Sequence, residues 1–241
     1  MSEIAAVLVS VTQGYDLWAA TYDHNPNPLL HLEERKLSPL LPSLENKRVL
    51  DLACGTGRWL EKILAQGAKQ AVGIDCSVAM IREARKKTLM AGNLVRANGM
   101  SLPFGRAIFD LAICSFALGH FKDLTTVARE LARVMKPGSR MFVTDLHPEA
   151  YARGWRTGFR NGRSAIHVET LPRTSEVIIT SFHAGGFECL TCIPLCLGTA
   201  EKPIFERAGK QDEFETACRV PAVLLCQFRR VEPPAAIQRG R

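Results

Sequence analysis

Short apolar, β-branched runs alternate with stretches whose apolar residues recur every three or four positions, and this alternation begins near residue 48. Such a pattern predicts parallel βαβ units. Strands are expected at Arg48 to Ala53, Ala71 to Asp75, Leu94 to Asn98, Ile108 to Ser115 and Met141 to Leu146, with two more at Phe187 to Cys196 and Pro221 to Arg229. Helices are expected at Arg58 to Gln66, at Ser77 to Ala91 behind a Ser77 cap, and around Leu124, Val127, Leu131 and Val134, where Lys136-Pro137-Gly138 stops the pattern. A further helix is expected from Thr174 to His183, ending at Gly185-Gly186, and an N-terminal helical stretch spans residues 15 to 23.

The expected fold is therefore α/β: a doubly wound, mostly parallel sheet of seven strands with helices on both faces and an antiparallel last strand. A chain of 241 residues, 46% hydrophobic and 23% charged, fits one domain with a sizeable core. Residues 1–228 are assigned to that domain, with about 1–45 as a helical lid and 229–241 as a disordered basic tail. No apolar run is long enough for a membrane span, and eight scattered cysteines without a secretory signal read as reduced thiols of a cytoplasmic protein. The net charge of +7 raises the question of nucleic acid, but the last 13 residues hold four arginines against Glu232, so +3 of it belongs to the tail.

The most informative stretch is Val49-Leu-Asp51-Leu-Ala53-Cys-Gly55-Thr-Gly57-Arg58-Trp-Leu60, a buried strand that enters a glycine turn and then a helix. Glycines let a ligand lie on the backbone, and a helix N-terminus offers unpaired N–H groups to an anion. A dinucleotide fold would place a third glycine where Leu60 stands, so the pattern points to an adenosine compound without phosphates, anchored by a carboxylate. Asp75 ends the next strand, 18 residues after Gly57, where it either accepts both ribose hydroxyls or merely caps the following helix.

These residues, with Tyr15-Asp-x-Trp18-Ala-x-x-Tyr22-Asp, Gly73-Ile-Asp75, Ser101-Leu-Pro-Phe104 before Phe109-Asp110, and Met135-Lys-Pro-Gly138, resemble the class I S-adenosylmethionine-dependent methyltransferases, in particular the quinone-type and small-molecule branch. The resemblance covers roughly residues 12 to 147. It implies S-adenosylmethionine as cofactor, S-adenosylhomocysteine as product and a small-molecule acceptor whose reacting atom stays open. By position, Gly55 and Gly57 would border the methionine moiety, Asp75 would hold the ribose, and Met80, Asn98 and Met100 would lie at the adenine; Asp51, Ala53, Cys76 and Gly99 are further expected cofactor contacts. Ser115 and Phe116 would lie beside the methionine amine and the reacting methyl. Ala53 stands where relatives carry glycine, which narrows the turn, and Asn98 where they often carry Asp. The resemblance makes Tyr15 and Tyr22 lid residues facing the cofactor carboxylate; spacing alone would make them, with Trp18, a helix face on the core.

His120 and His147 follow the fourth and fifth strands at the functional edge of the sheet, so each is a candidate general base, or else a structural histidine. Tyr15, Trp18, His120, His147, Trp155 and Arg156 are the candidate substrate contacts. The last two belong to an insertion, residues 151–163, that mixes arginines with aromatics and suits an anionic aromatic substrate, RNA or plain solvent. Cys189-x-x-Cys192-x-x-x-Cys196 lacks a second ligand pair, and strand alternation would point Cys189 and Cys192 to opposite faces, so no metal is expected. The nucleic-acid methyltransferase alternative lacks its own signature, since Cys114-Ser-Phe-Ala117 stands where an Asn/Asp-Pro-Pro-aromatic element would be. A non-catalytic cofactor-binding protein stays as the third possibility. The expected state is a monomer or homodimer, free of membrane.

Overall fold

A computed structural model describes residues 6–24, 26–90 and 92–231. In chain order they form β1 (Ala6–Val9), α1 (Val11–Trp18), α2 (Pro28–Leu37), β2 (Arg48–Leu52), α3 (Arg58–Ala65), β3 (Gln70–Asp75), α4 (Val78–Ala84), β4 (Leu94–Arg96), β5 (Phe109–Ser115), α5 (Leu124–Val134) and β6 (Met135–Leu146). Then follow α6 (Pro148–Ala152), β7 (Gly158–Asn161), β8 (Ser164–Val168), α7 (Ser175–Ala184), β9 (Phe187–Cys196), α8 (Lys202–Arg207), α9 (Gln211–Cys218) and β10 (Pro221–Arg230).

The main sheet has seven strands in the order β4-β3-β2-β5-β6-β10-β9, with β10 antiparallel to both of its neighbours. Alternation along each strand divides the core in two. Leu50, Leu52, Ala112, Met141, Val143 and Leu224 face α5 and α7, whereas Val49, Leu111, Ile113, Phe142, Val223 and Leu225 face α2, α3 and α9. Both faces being covered explains why these strands read as unbroken apolar runs. The carboxyl ends of β2, β3, β5 and β6 open on one edge, and the antiparallel β10 begins there. Among the described residues no helix is long and apolar enough to cross a membrane.

Several expectations are corrected. The N-terminal segment is not purely helical: β1 pairs in parallel with β8, and β8 with β7, so the N-terminus and the Arg-rich insertion share a small three-stranded sheet. The helix expected to run to Ala91 stops at Ala84, and the turn after it brings Lys87 Nζ to 3.0 Å from Asp23; Ala91 itself lies outside the described residues. β4 ends at Arg96 because the Asn98 side chain turns the chain, its Oδ1 accepting the Met100 N–H at 2.9 Å. Arg229 and Arg230, placed with the tail by composition, belong to β10; residues 232–241 of that tail lie outside the described residues.

The cysteines differ as well. Leu190 is an extra residue in β9, where the register steps from Cys189 opposite Phe228 to Thr191 opposite Gln227. That bulge cancels the alternation and turns both Cys189 and Cys192 toward the core. Cys192 faces Cys226 directly across β10 and forms a disulfide with it, so the expectation of eight free thiols fails for this pair.

Candidate active site

The turn after β2 is held in shape by two carboxylates. Ala53, Gly55 and Gly57 take φ of 58°, 54° and 81°, which carries the chain sharply from the strand into α3. Asp75 accepts the Gly55 N–H on one oxygen and the Ser77 N–H on the other, each at 2.8 Å. Asp51 accepts the Leu60 N–H at 3.0 Å. Above this turn lies a cavity of about 400 Å³ bounded by the ends of β2, β3 and β5 and by α1. Burial pushes the Asp51 carboxyl up to about 7, against the pull of the Arg58 charge, and burial also raises Asp75 despite its backbone N–H partners.

One wall is a buried polar network that the sequence analysis missed. Glu33 of α2 is fully buried and accepts hydrogen bonds from Ser115 Oγ at 2.7 Å, Thr144 Oγ1 at 2.5 Å, Trp59 Nε1 at 3.2 Å and the Arg58 guanidinium. Burial works against the Arg58 charge, but Glu33 overrules it and holds the pKa above its ordinary value. The signal was present: Glu33 lies four residues from both Leu29 and Leu37, on the helix face that packs inward. Arg58 Nη2 also donates to Ser115 Oγ at 3.0 Å, whereas Nη1 is buried and makes no hydrogen bond among the described residues, with Glu34 Oε2 3.9 Å away; Arg58 is one of the residues lining the cavity.

The N-terminal helix closes the cavity from above and is tied to its floor at three points. Asp16 accepts from Ser77 Oγ at 2.7 Å, Asp23 accepts from Thr56 Oγ1 at 2.8 Å, and Tyr15 meets His120 with 2.8 Å between Oη and Nε2. The His120 Nδ1 lies 3.1 Å from the Glu169 carbonyl, which can only accept, so Nδ1 carries the proton and Nε2 accepts from the Tyr15 hydroxyl. Burial lowers the His120 pKa and raises that of Tyr15 well above the usual phenol, so the pair is neutral near pH 7.

Of the residues assigned to the cofactor by position, the cavity is lined by Asp51, Ala53, Gly55, Asp75, Cys76 and Met80 on one side. Asn98, Gly99, Met100, Ser115 and Phe116 line it further along, together with the lid tyrosines Tyr15 and Tyr22. Gly57 is not on the wall; it is the N-cap of α3, where its left-handed φ makes the turn. The Ser115 hydroxyl is already engaged by Glu33 and Arg58, and Phe116 takes a positive φ of 51° just past β5.

The candidate substrate residues separate. His120 lines the cofactor-sized cavity, whereas Trp18, Trp155 and Arg156 line a second one of about 1280 Å³, with Tyr22 on the wall of both. His147 lines neither; its Nδ1 accepts the Glu149 N–H at 3.2 Å and caps α6. Among the described residues no group of three His, Cys, Asp or Glu side chains could hold a metal ion.

Comparison with known proteins gives a consistent picture. Residues 49–138 match the family model described as a methyltransferase domain. The chain is 30% identical over 176 residues to the demethylmenaquinone methyltransferase of Corynebacterium urealyticum, covering 73% of this chain and 71% of that one. It is 36% identical over 131 residues to the O-methyltransferase resE of Aspergillus sclerotiorum, covering 49% and 50%. The match takes in between 50% and 59% of the length of three such curated relatives. In fold it is similar to an S-adenosylmethionine-dependent methyltransferase from Mesorhizobium loti, with a TM-score of 0.65 at 23% identity over 83% of this chain and 98% of that one.

Proposed function

The chain belongs to the S-adenosylmethionine-dependent methyltransferase family, and from that premise we propose that it methylates a small molecule whose proton leaves through Tyr15 and His120. The observation that carries this reading is the cavity over the β2 turn, lined by Arg58, one of whose guanidinium nitrogens is buried without a hydrogen bond, by the buried Asp51 and by the half-buried Asp75.

The residues present fit the cofactor. Arg58 Nη1 is an orphaned buried donor, which suits the carboxylate of a methionine group. Asp51 suits the neighbouring amino group, and Asp75, with lone pairs left over from its two backbone bonds, suits a ribose diol. A Cβ on Gly55 would meet nothing nearer than Met80 Sδ at 4.0 Å, so the space above the turn is open for a ligand. Asn98 Nδ2, Met80 and Met100 suit an adenine ring.

Bound S-adenosylmethionine supplies a methyl group on a positively charged sulfur, a strong electrophile. The protein supplies position, dryness and a path for the proton. Orienting the reactants can lower the barrier by about 7 to 11 kcal/mol, the larger share of the work. The lid formed by the helical turns at residues 11–24 excludes water. Tyr15 takes the proton of an acceptor hydroxyl or thiol while passing its own to His120 Nε2, and Glu169 holds the imidazole in the accepting tautomer.

Titration calorimetry with S-adenosylhomocysteine tests the reading. Stoichiometric binding is expected, with no heat from a nicotinamide or flavin nucleotide; the reverse pattern would reject it. With an acceptor in hand, His120→Asn and Tyr15→Phe should each slow methyl transfer by about 10²- to 10⁴-fold.

A further inference from the structure

We propose that the second cavity is the acceptor site and that it selects a flat aromatic molecule carrying a single carboxylate. The proposal rests on the methyltransferase reading above, which places the reacting methyl in the smaller cavity. Position is the first argument. The larger cavity lies beside the start of β10 and the end of β9, on the same edge of the sheet as the cofactor cavity, and Tyr22 is the wall common to the two. A molecule seated there would reach past Tyr22 with its reacting group, into the smaller cavity that Tyr15 and His120 line.

The shape and the walls give the chemical class. A volume of about 1280 Å³ is ample for a small organic acceptor. Trp18 and Phe159 stack with centroids 5.0 Å apart, Trp155 stands near them, and Tyr22 meets Trp18 edge-on at 4.8 Å, so the lining is built from aromatic faces and edges.

Charge selects within that class. Five basic side chains line the cavity against Asp212 and Glu213. Two of the five are spent, Arg153 on Glu149 and Lys210 on Glu213. Arg156, Arg160 and Arg207 have no carboxylate partner among the described residues; Arg156 lies over the Tyr151 ring at 4.0 Å and, like Arg207, donates only to backbone carbonyls. Guanidinium forks without a carboxylate next to aromatic walls fit an aromatic carboxylate bidentately. Asp212 and Glu213, on the same wall, favour one negative charge over the two of a phosphate.

Calorimetry with 2-naphthoate and its neutral isostere 2-naphthamide, in the presence of S-adenosylhomocysteine, tests this. The naphthoate is expected to bind at least about tenfold more tightly, the equivalent of one charge-assisted hydrogen bond. The R156Q/R160Q/R207Q variant should lose that advantage while keeping wild-type affinity for S-adenosylhomocysteine. Because the exposed Arg160 side chain makes no hydrogen bond among the described residues, R160Q alone should leave the fold intact and lose part of it. Equal affinity of the two probes for the wild type would overturn the proposal. So would naphthoate binding that survives the triple variant, or its displacement by a short RNA at low salt. Failure to bind S-adenosylhomocysteine would instead sink the methyltransferase reading, so the two failures are separable.

Discussion

The two cavities on the carboxyl edge of the sheet are made in opposite ways. Around the smaller one, the polar side chains are held by the protein itself: Asp75 by two backbone N–H groups, Asp51 by a third, Glu33 by four side chains. Around the larger one, three guanidiniums lie without carboxylates on a wall assembled from α8, α9 and the insertion. A site whose groups are fixed in advance loses little on binding a ligand of constant shape, which suits a cofactor. Loosely held groups on a wall from distant segments can be exchanged without disturbing the fold, which suits an acceptor that differs among relatives, as the demethylmenaquinone and O-methyl enzymes do.

If this contrast is correct, the same kind of change must be costly on one side and nearly silent on the other. Glu33→Ala is the largest case. It leaves the buried Arg58 charge with only the half-exposed Glu34, 3.9 Å away, and strips Ser115, Thr144 and Trp59 of their acceptor, so a loss of about 3 to 5 kcal/mol is expected. Arg160→Gln, on the far wall, should stay within about 0.5 kcal/mol of wild type. Comparable denaturant midpoints for the two would erase the distinction. Next in size is Asp75→Asn, which keeps the shape of the side chain but offers an N–H₂ group to a backbone donor and to the sugar. S-adenosylhomocysteine affinity should fall about ten- to a hundredfold, and an unchanged value would remove Asp75 from the ribose role.

The contrast also explains what could be read in advance. The cofactor side is encoded locally: Asp51 to Leu60 is one continuous strand, turn and helix start, and the motif alone located Gly55, Asp75 and Asn98 on the wall. Glu33 escaped because its partners Arg58, Ser115 and Thr144 are 25, 82 and 111 residues away, and in isolation it looks like one charge among several on an exposed helix. On the other side, Trp18, Trp155 and Arg156 were singled out from the sequence and line the larger cavity, but the way that wall is assembled escaped for the same reason on a larger scale. The sheet of β1, β8 and β7 depends on a parallel pairing between residues 6–9 and 165–168, which no short-range pattern announces. The bulge at Leu190, which reverses the Cys192 side chain, is likewise set by its partner strand.

A pH dependence is the next smaller effect. Burial raises Asp51 to about 7 and Asp145 to about 6, both above their unfolded values, so the native state holds protons that the unfolded chain releases. Stability of the cofactor-free protein should therefore fall as pH rises from about 4 to about 7 and level off above. Affinity for S-adenosylhomocysteine should move the other way, rising through the same window as Asp51 becomes able to face an amino cation. Asp51→Asn should flatten the affinity curve and reduce the slope of the stability curve to the part that Asp145 contributes. Stability profiles of wild type and variant that run parallel would remove Asp51 as the cause.

The smallest effect tests the turn itself. Ala53 stands where the motif resemblance leads one to expect glycine, and it adopts a left-handed φ of 58°. A left-handed alanine is strained by about 1 to 2 kcal/mol, and Ala53→Gly would release that. The gain is offset by the added freedom of glycine in the unfolded chain, about 0.4 to 1 kcal/mol, and by the loss of a methyl group that packs against the core beside β2. The three contributions nearly cancel, so the melting temperature should shift by only about 2 °C or less. Gly57→Ala, at φ 81°, should lower it further than Ala53→Gly moves it in either direction. A clear destabilisation by Ala53→Gly would mean that the packing of its methyl, and not the handedness of the backbone, decides why this chain tolerates alanine at the centre of its cofactor turn.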